Sequence, residues 1–220
     1  FSFTIIEGQP LRDVVANIQK QAHLSQDLDT ENLATQISNT QENLEGWLFP
    51  DTYHYHSEDS ASGLLKRAYN KMQQELDTAW QTRAPDLVLS SPYEALILAS
   101  IIEKETGLAS ERPLISAVFT NRLKTNMRLQ TDPTVIYGIG ADFDGDIKRK
   151  DLTTYTPYNT YKIKGLPPTP IAMPSKAAIL AAVNPPESEY VYFVAKGDGS
   201  HQFSKTLQEH NRAVKQYQLN

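Results

Sequence analysis

The chain of 220 residues contains no cysteine. That excludes disulfides, thiol nucleophiles and cysteine-ligated zinc, and it is compatible with an oxidising compartment without requiring one. Long apolar runs are also missing: none approaches the roughly 18 residues of a membrane span, and no secretory leader is visible. Basic runs are short, Lys148-Arg149-Lys150 being the longest, and the formal net charge is -5, so nucleic acid is not expected as a partner. There is no G-x-S-x-G elbow, P-loop, H-E-x-x-H or dinucleotide fingerprint, which removes support for serine hydrolase, nucleotide and zinc-protease chemistry. His54 and His56 have no third ligand at metal spacing, and Asp142-Phe143-Asp144-Gly145-Asp146 fails as a calcium loop because its Gly is misplaced and Thr153 stands where a Glu is needed. Neither a metal nor a cofactor is expected.

What is present is an ordinary globular composition, 40% apolar and 21% charged, which supports a real core. The most informative stretch runs from Glu94 to Gly107. Between Ala95 and Ile102 only Ser100 is polar, as in a helix that crosses the middle of a domain. Ser90-Ser91-Pro92-Tyr93-Glu94 carries helix-start signals, and Gly107 is a natural C-cap. The helix ends in Glu103-Lys104-Glu105. Glu103 continues the stripe of Leu96 and Ala99, whereas Glu105 follows Leu98 and Ile101, so only one of them can face a given cleft. Burial and the negative end of the helix dipole both disfavour a charged carboxylate there, which suits a general acid.

The rest reads as α+β, helix-rich with few strands. Residues 1–44 form a small strand-helix segment, with a strand at Phe3-Thr4-Ile5-Ile6, a helix from Leu11 to Ala22 and a short helix within 25–45. Residues 45–220 form the larger domain. Trp47, Phe49 and Tyr53 are expected to cover the core or line a groove. Helices are expected over Ser62 to Arg83, Glu111 to Lys124, Ser175 to Val183 and Thr206 to Tyr217. Strands are expected after Thr134, at Tyr190 to Val194, and at Gln202-Phe203-Ser204. The Tyr-, Asn- and Pro-rich segment from Tyr155 to Pro170 is expected to be extended.

Several motifs occur together in a fixed order: Leu44 through Tyr53, Ala99-Ser100-Ile101-Ile102-Glu103-Lys104-Glu105, Glu111-Arg112, Val118 through Leu123, Met127 through Tyr137, Tyr158-Asn159-Thr160-Tyr161, Gly165-Leu166-Pro167-Pro168, Tyr192-Phe193-Val194 and Glu209-His210-Asn211. In this order they resemble the endolytic murein transglycosylases of the YceG-like family, over nearly the whole chain. Thr169 and Met173-Pro174-Ser175 are small departures. The resemblance implies a bacterial enzyme held in the inner membrane by an N-terminal helix, with a LysM-like subdomain before a periplasmic catalytic domain. This chain starts at Phe1, so it is expected to be a piece without the anchor, and residues 1–44 to be part of the LysM-like region. The implied reaction cleaves the MurNAc-β-1,4-GlcNAc bond of peptidoglycan and leaves 1,6-anhydro-MurNAc ends. The family's catalytic glutamate is placed on Glu103. Gln130, Thr131, Asp132, Tyr158, Asn159 and Tyr161 are expected to bind substrate, while Glu105 and Glu111 are expected to pair with Arg112 or Arg122. Glycan strands are the implied partner, with cell-wall synthases (penicillin-binding proteins) as further ones. Two alternatives remain: a hydrolysing muramidase with Asp132 as base, and a non-catalytic peptidoglycan-binding scaffold.

Overall fold

A computed structural model describes residues 1–38 and 40–219. Along the chain lie β1 (Ser2–Thr4), α1 (Leu11–Ile18), α2 (Leu33–Ile37), β2 (Thr52–His54), α3 (Ala61–Gln81), α4 (Pro92–Glu105), α5 (Arg112–Lys124), α6 (Asp132–Ile139), a 3-10 turn (Gly140–Asp142), α7 (Arg149–Thr153), α8 (Lys176–Val183), β3 (Tyr192–Ala195), β4 (His201–Ser204) and α9 (Leu207–Gln218). The class is α+β, as expected.

Helix α4 is the axis. Its residues Ala95 to Ile102 are all buried, and it packs against α3, α5, α6 and α8. Ser100 is accommodated because its hydroxyl donates to the Ile97 carbonyl (2.7 Å) and accepts from the Ile171 N–H (3.0 Å), so this hydroxyl is not left unpaired in the core. The Ser91 hydroxyl caps the start by accepting the Glu94 N–H at 3.2 Å, and the Glu94 carboxylate accepts the Ser90 N–H at 2.7 Å. At the other end the chain leaves the helix at Thr106, in extended geometry, one residue earlier than a Gly107 cap would place it. Glu105 is therefore the last helical residue.

The division expected at 44/45 does not separate two cores. β1 pairs antiparallel with β2, Phe3 opposite Tyr53, and Phe3, Ile5, Val14, Ile18 and Leu33 join the same buried cluster as α3 and α4. Trp47, Phe49 and Tyr53 are buried in that cluster, Trp47 stacking on Tyr93 at 6.0 Å, so these aromatics cover the core. Gly46 sits in the left-handed region (φ 80°), where a Cβ would come within 2.5 Å of Pro170, which explains the glycine.

Two expectations change. The segment after Thr134 is helix α6, not a strand: Thr131 is the N-cap residue and Pro133 lies in the first turn, and tertiary packing overrides the β-branched Val135-Ile136 pair. Residues 155–170 fold into turns rather than running extended, with the Asn159 carbonyl accepting from both Lys162 and Ile163 N–H groups. The second hairpin forms as expected, β3 antiparallel to β4 with Phe193 opposite Phe203.

Candidate active site

Two residues along a helix is a rotation of about 200°, so Glu103 and Glu105 leave α4 on nearly opposite sides. The side on which each falls is decided by its neighbours. Glu103 is enclosed by protein, with 6% of its side chain exposed. One oxygen accepts from Arg112 Nη2 at 3.2 Å; the other accepts the Ser175 N–H at 2.8 Å and the Ser175 hydroxyl. Ser175 is the N-cap of α8 and Arg112 the first residue of α5, so Glu103 fastens α4, α5 and α8 together. Every lone-pair direction aimed at a structural partner is one fewer for a substrate. Glu103, expected as the acid, is held by three hydrogen bonds to structural partners.

Glu105 is on the other side, in the wall of a cavity of about 530 Å³ lined also by Arg122, Gln130, Asp132, Tyr161, Tyr192, His201, His210 and Asn211. Its Oε1 accepts the Thr131 hydroxyl, and Oε2 has no partner among the described residues. Burial pushes its pKa up to about 7, and the nearby Asp132 charge adds to the rise; the Thr131 hydrogen bond, His201 and Arg122 act against it. A carboxyl that holds its proton near neutrality, with one oxygen tethered and the other free, has the properties of a general acid.

Of the expected substrate-binding residues, Gln130, Asp132 and Tyr161 line this cavity. The Tyr161 hydroxyl donates to Asp132 at 2.7 Å, and Gln130 holds a positive φ of 52° beside the site. Thr131 is buried beneath it and tethers Glu105. Asn159 is buried as well. Its amide donates to the carbonyls of Asp151 (2.9 Å), Leu152 (3.3 Å) and Thr154 (2.6 Å), while its oxygen accepts the Tyr161 N–H at 3.0 Å. It shapes the turn that presents Tyr161 and does not line the cavity. Tyr158 lies apart, its ring 4.9 Å from Tyr137 in the wall of a second cavity of about 650 Å³. That larger cavity also holds an acid, Glu45, which burial pushes up to about 7. Both Glu45 oxygens are occupied, however, by the Leu11 N–H (2.9 Å) and the Tyr137 hydroxyl (3.0 Å), so it is a helix-capping group with no free oxygen for a substrate.

Residues not foreseen as site members are Glu105 itself, Arg122, Tyr192, His201, His210 and Asn211. Arg122 is buried, donating to the carbonyls of Val191 (2.7 Å), Arg128 (3.1 Å) and Leu129 (2.8 Å) and thereby fixing the loop that carries Gln130. The expected acid–base pairings are exchanged: Arg112 takes Glu103, and Glu111 takes His201. Tyr192 and the His210-Asn211 pair sit in motifs visible in the sequence, but nothing local says that β3 and α9 close over the end of α4.

An acid at the end of a buried helix thus faces a cleft of hydroxyls, amides and imidazoles. The chain belongs to the YceG-like family, whose model matches residues 1–216. It is 36% identical over 237 aligned positions to an endolytic murein transglycosylase of Bacillus subtilis (strain 168), covering 99% of this chain and 65% of that protein. It is 30% identical over 214 positions to an endolytic murein transglycosylase of Streptococcus pneumoniae serotype 2 (strain D39), covering 92% of this chain and 38% of the relative. The chain thus spans just under two thirds of the first relative and little more than a third of the second. A crystal structure of a YceG-like protein from Listeria monocytogenes superposes with a TM-score of 0.76 at 32% identity, covering 96% of this chain and 75% of that one.

Proposed function

We propose that this chain is the cleaving part of an endolytic murein transglycosylase, with Glu105 rather than Glu103 as its single general acid and base. The observation that carries the reading is the unpartnered Oε2 of Glu105 in a polar cavity, where burial pushes the pKa of the carboxyl up to about 7. The names of the relatives supply the substrate, peptidoglycan glycan strands.

In this mechanism the protonated Oε2 of Glu105 gives its proton to the oxygen joining C1 of N-acetylmuramic acid to N-acetylglucosamine. The C1–O bond breaks and the glucosamine leaves as an alcohol. The positive charge at C1 is relieved by the oxygen of the same sugar's 2-acetamido group. Glu105, now a carboxylate, takes the proton of the C6 hydroxyl as O6 attacks C1 and closes the 1,6-anhydro ring. The acid is regenerated and no water is consumed, so the second carboxylate of ordinary glycosidases is not needed. Thr131 fixes the carboxyl rotamer, Arg122 and Gln130 hold the loop beside it, and Tyr161 with Asp132 offers hydrogen bonds to sugar hydroxyls.

One observation favours a second reading: Asp132 lines the same cavity and could activate water, as in a hydrolysing muramidase. Mass spectrometry of products from purified glycan strands separates the two. Anhydro-ended fragments, lighter by one water than hydrolysis products, support the transglycosylase; reducing ends that vanish in Asp132→Asn support the hydrolase. Binding without cleavage would leave the scaffold. Anchoring in the inner membrane, action in the periplasm and association with cell-wall synthases belong to the same proposal.

A further inference from the structure

We propose that His201, oriented by Glu111, is a substrate-binding residue of the Glu105 cavity, accepting a hydrogen bond from the saccharide through its free Nε2. The inference rests on the reading that this cavity holds a glycan. His201 opens β4, and Glu111 is the N-cap residue of α5. The two meet through two bonds: Glu111 Oε1 accepts the His201 backbone N–H at 2.9 Å, and Oε2 lies 2.7 Å from Nδ1. A carboxylate only accepts, so Nδ1 carries a proton, and in the Nδ1–H tautomer Nε2 is an acceptor. The ring is further fixed edge-on against Phe193, 5.4 Å away at 90°. Its side chain is 11% exposed, and it lines the cavity. Nε2 has no partner among the described residues and is not fully enclosed by protein.

A saccharide brings hydroxyls and acetamido N–H groups, all donors, into that space. Other acceptors line the same space. Glu105 Oε1 is bonded to Thr131 and Oε2 carries the reactive proton, while Asp132 Oδ1 accepts from Tyr161. His201 differs from them in that its ring is oriented by a residue outside the cavity, Glu111, which leaves Nε2 without a partner among the described residues. The rival explanation is that the pair only fastens the β3–β4 hairpin to α5.

Glu111→Gln distinguishes them. A Gln keeps an oxygen for the His201 N–H, so the fastening survives, but its amide donates to Nδ1 and drives the ring proton to Nε2. The acceptor becomes a donor. The experiment measures kcat/KM on purified glycan strands and the melting temperature for Glu111→Gln, His201→Ala, His201→Gln and the Glu111→Gln/His201→Ala double variant. Strand binding to the Glu105→Gln protein, with and without His201→Ala, is measured in parallel. Expected are losses of about 10-fold or more in kcat/KM for Glu111→Gln and His201→Ala, carried mainly by KM, with the melting temperature nearly unchanged for Glu111→Gln. The double variant should be no worse than His201→Ala, His201→Gln should recover part of the loss, and His201→Ala should weaken strand binding. If Glu111→Gln stays within about twofold of the parent, or the two losses multiply, the inference is overturned; should His201→Ala fail to fold, Glu111→Gln alone decides. Full activity in Glu105→Gln would instead overturn the assignment of the cavity.

Discussion

At the scale of single residues, the decisive difference is between two glutamates two positions apart on one helix. Glu103 and Glu105 share a sequence context, and a helical wheel separates their faces, but it cannot say which face meets solvent. That depends on Ser175 and Thr131, which lie 72 and 26 positions from the acids they hold, together with Arg112, so the side of the cleft was not legible locally. Residue types were more legible: Asp132 and Tyr161, picked out in the sequence, both line the cavity, although their mutual bond spans 29 positions. Glu105 also sets a pH dependence. Its function requires the protonated form, and its pKa is raised to about 7, so kcat/KM should fall tenfold per pH unit above about 7; a rate profile on soluble strands between pH 5 and 9 checks this. A profile flat to pH 9 would contradict it.

At the scale of elements, the start of α4 was readable because its signals are local: the Ser91 cap, Pro92, and the apolar run itself. Helix α6 was not, because Val135, Ile136 and Gly138 are poor helix formers held in place by the packing of α4 against it. The turn over 154–161 depends on Asn159, one amide satisfying three carbonyls while its oxygen receives the Tyr161 N–H. Asn159→Ala removes these bonds from part-buried backbone groups. It should cost about 2–4 kcal/mol by urea unfolding and lower kcat/KM through displacement of Tyr161. Unchanged stability would mean that the turn is held by something else.

At the scale of the whole molecule, residues 1–44 are not an appendage, since β1 completes a sheet with β2 and α1 is capped by Glu45. Composition suggested a boundary there because residues 25–45 are polar, but a polar connector does not reveal where its flanking elements pack. Glu45 gives this contact a pH signature. Its folded pKa, raised by burial to about 7, lies above the unfolded carboxyl value, so its contribution to stability is complete below about pH 4.5 and is lost as pH rises through about 7. Glu105 acts in the same direction. Glu45→Gln should therefore flatten part of the decline, by about 1–3 kcal/mol between pH 5 and 8, in denaturant titrations of parent and variant. An identical decline in both would show that the buried carboxyl carries no such cost.

The measurement that bears most directly on the central claim compares Glu105→Gln with Glu103→Gln, following anhydro-ended fragments released from glycan strands alongside each protein's melting temperature. The account predicts a folded Glu105→Gln with product loss of about 100-fold or more, and a Glu103→Gln that is less stable by about 1–3 kcal/mol yet still cleaves. A folded Glu103→Gln without activity, beside a Glu105→Gln that cleaves normally, would contradict it.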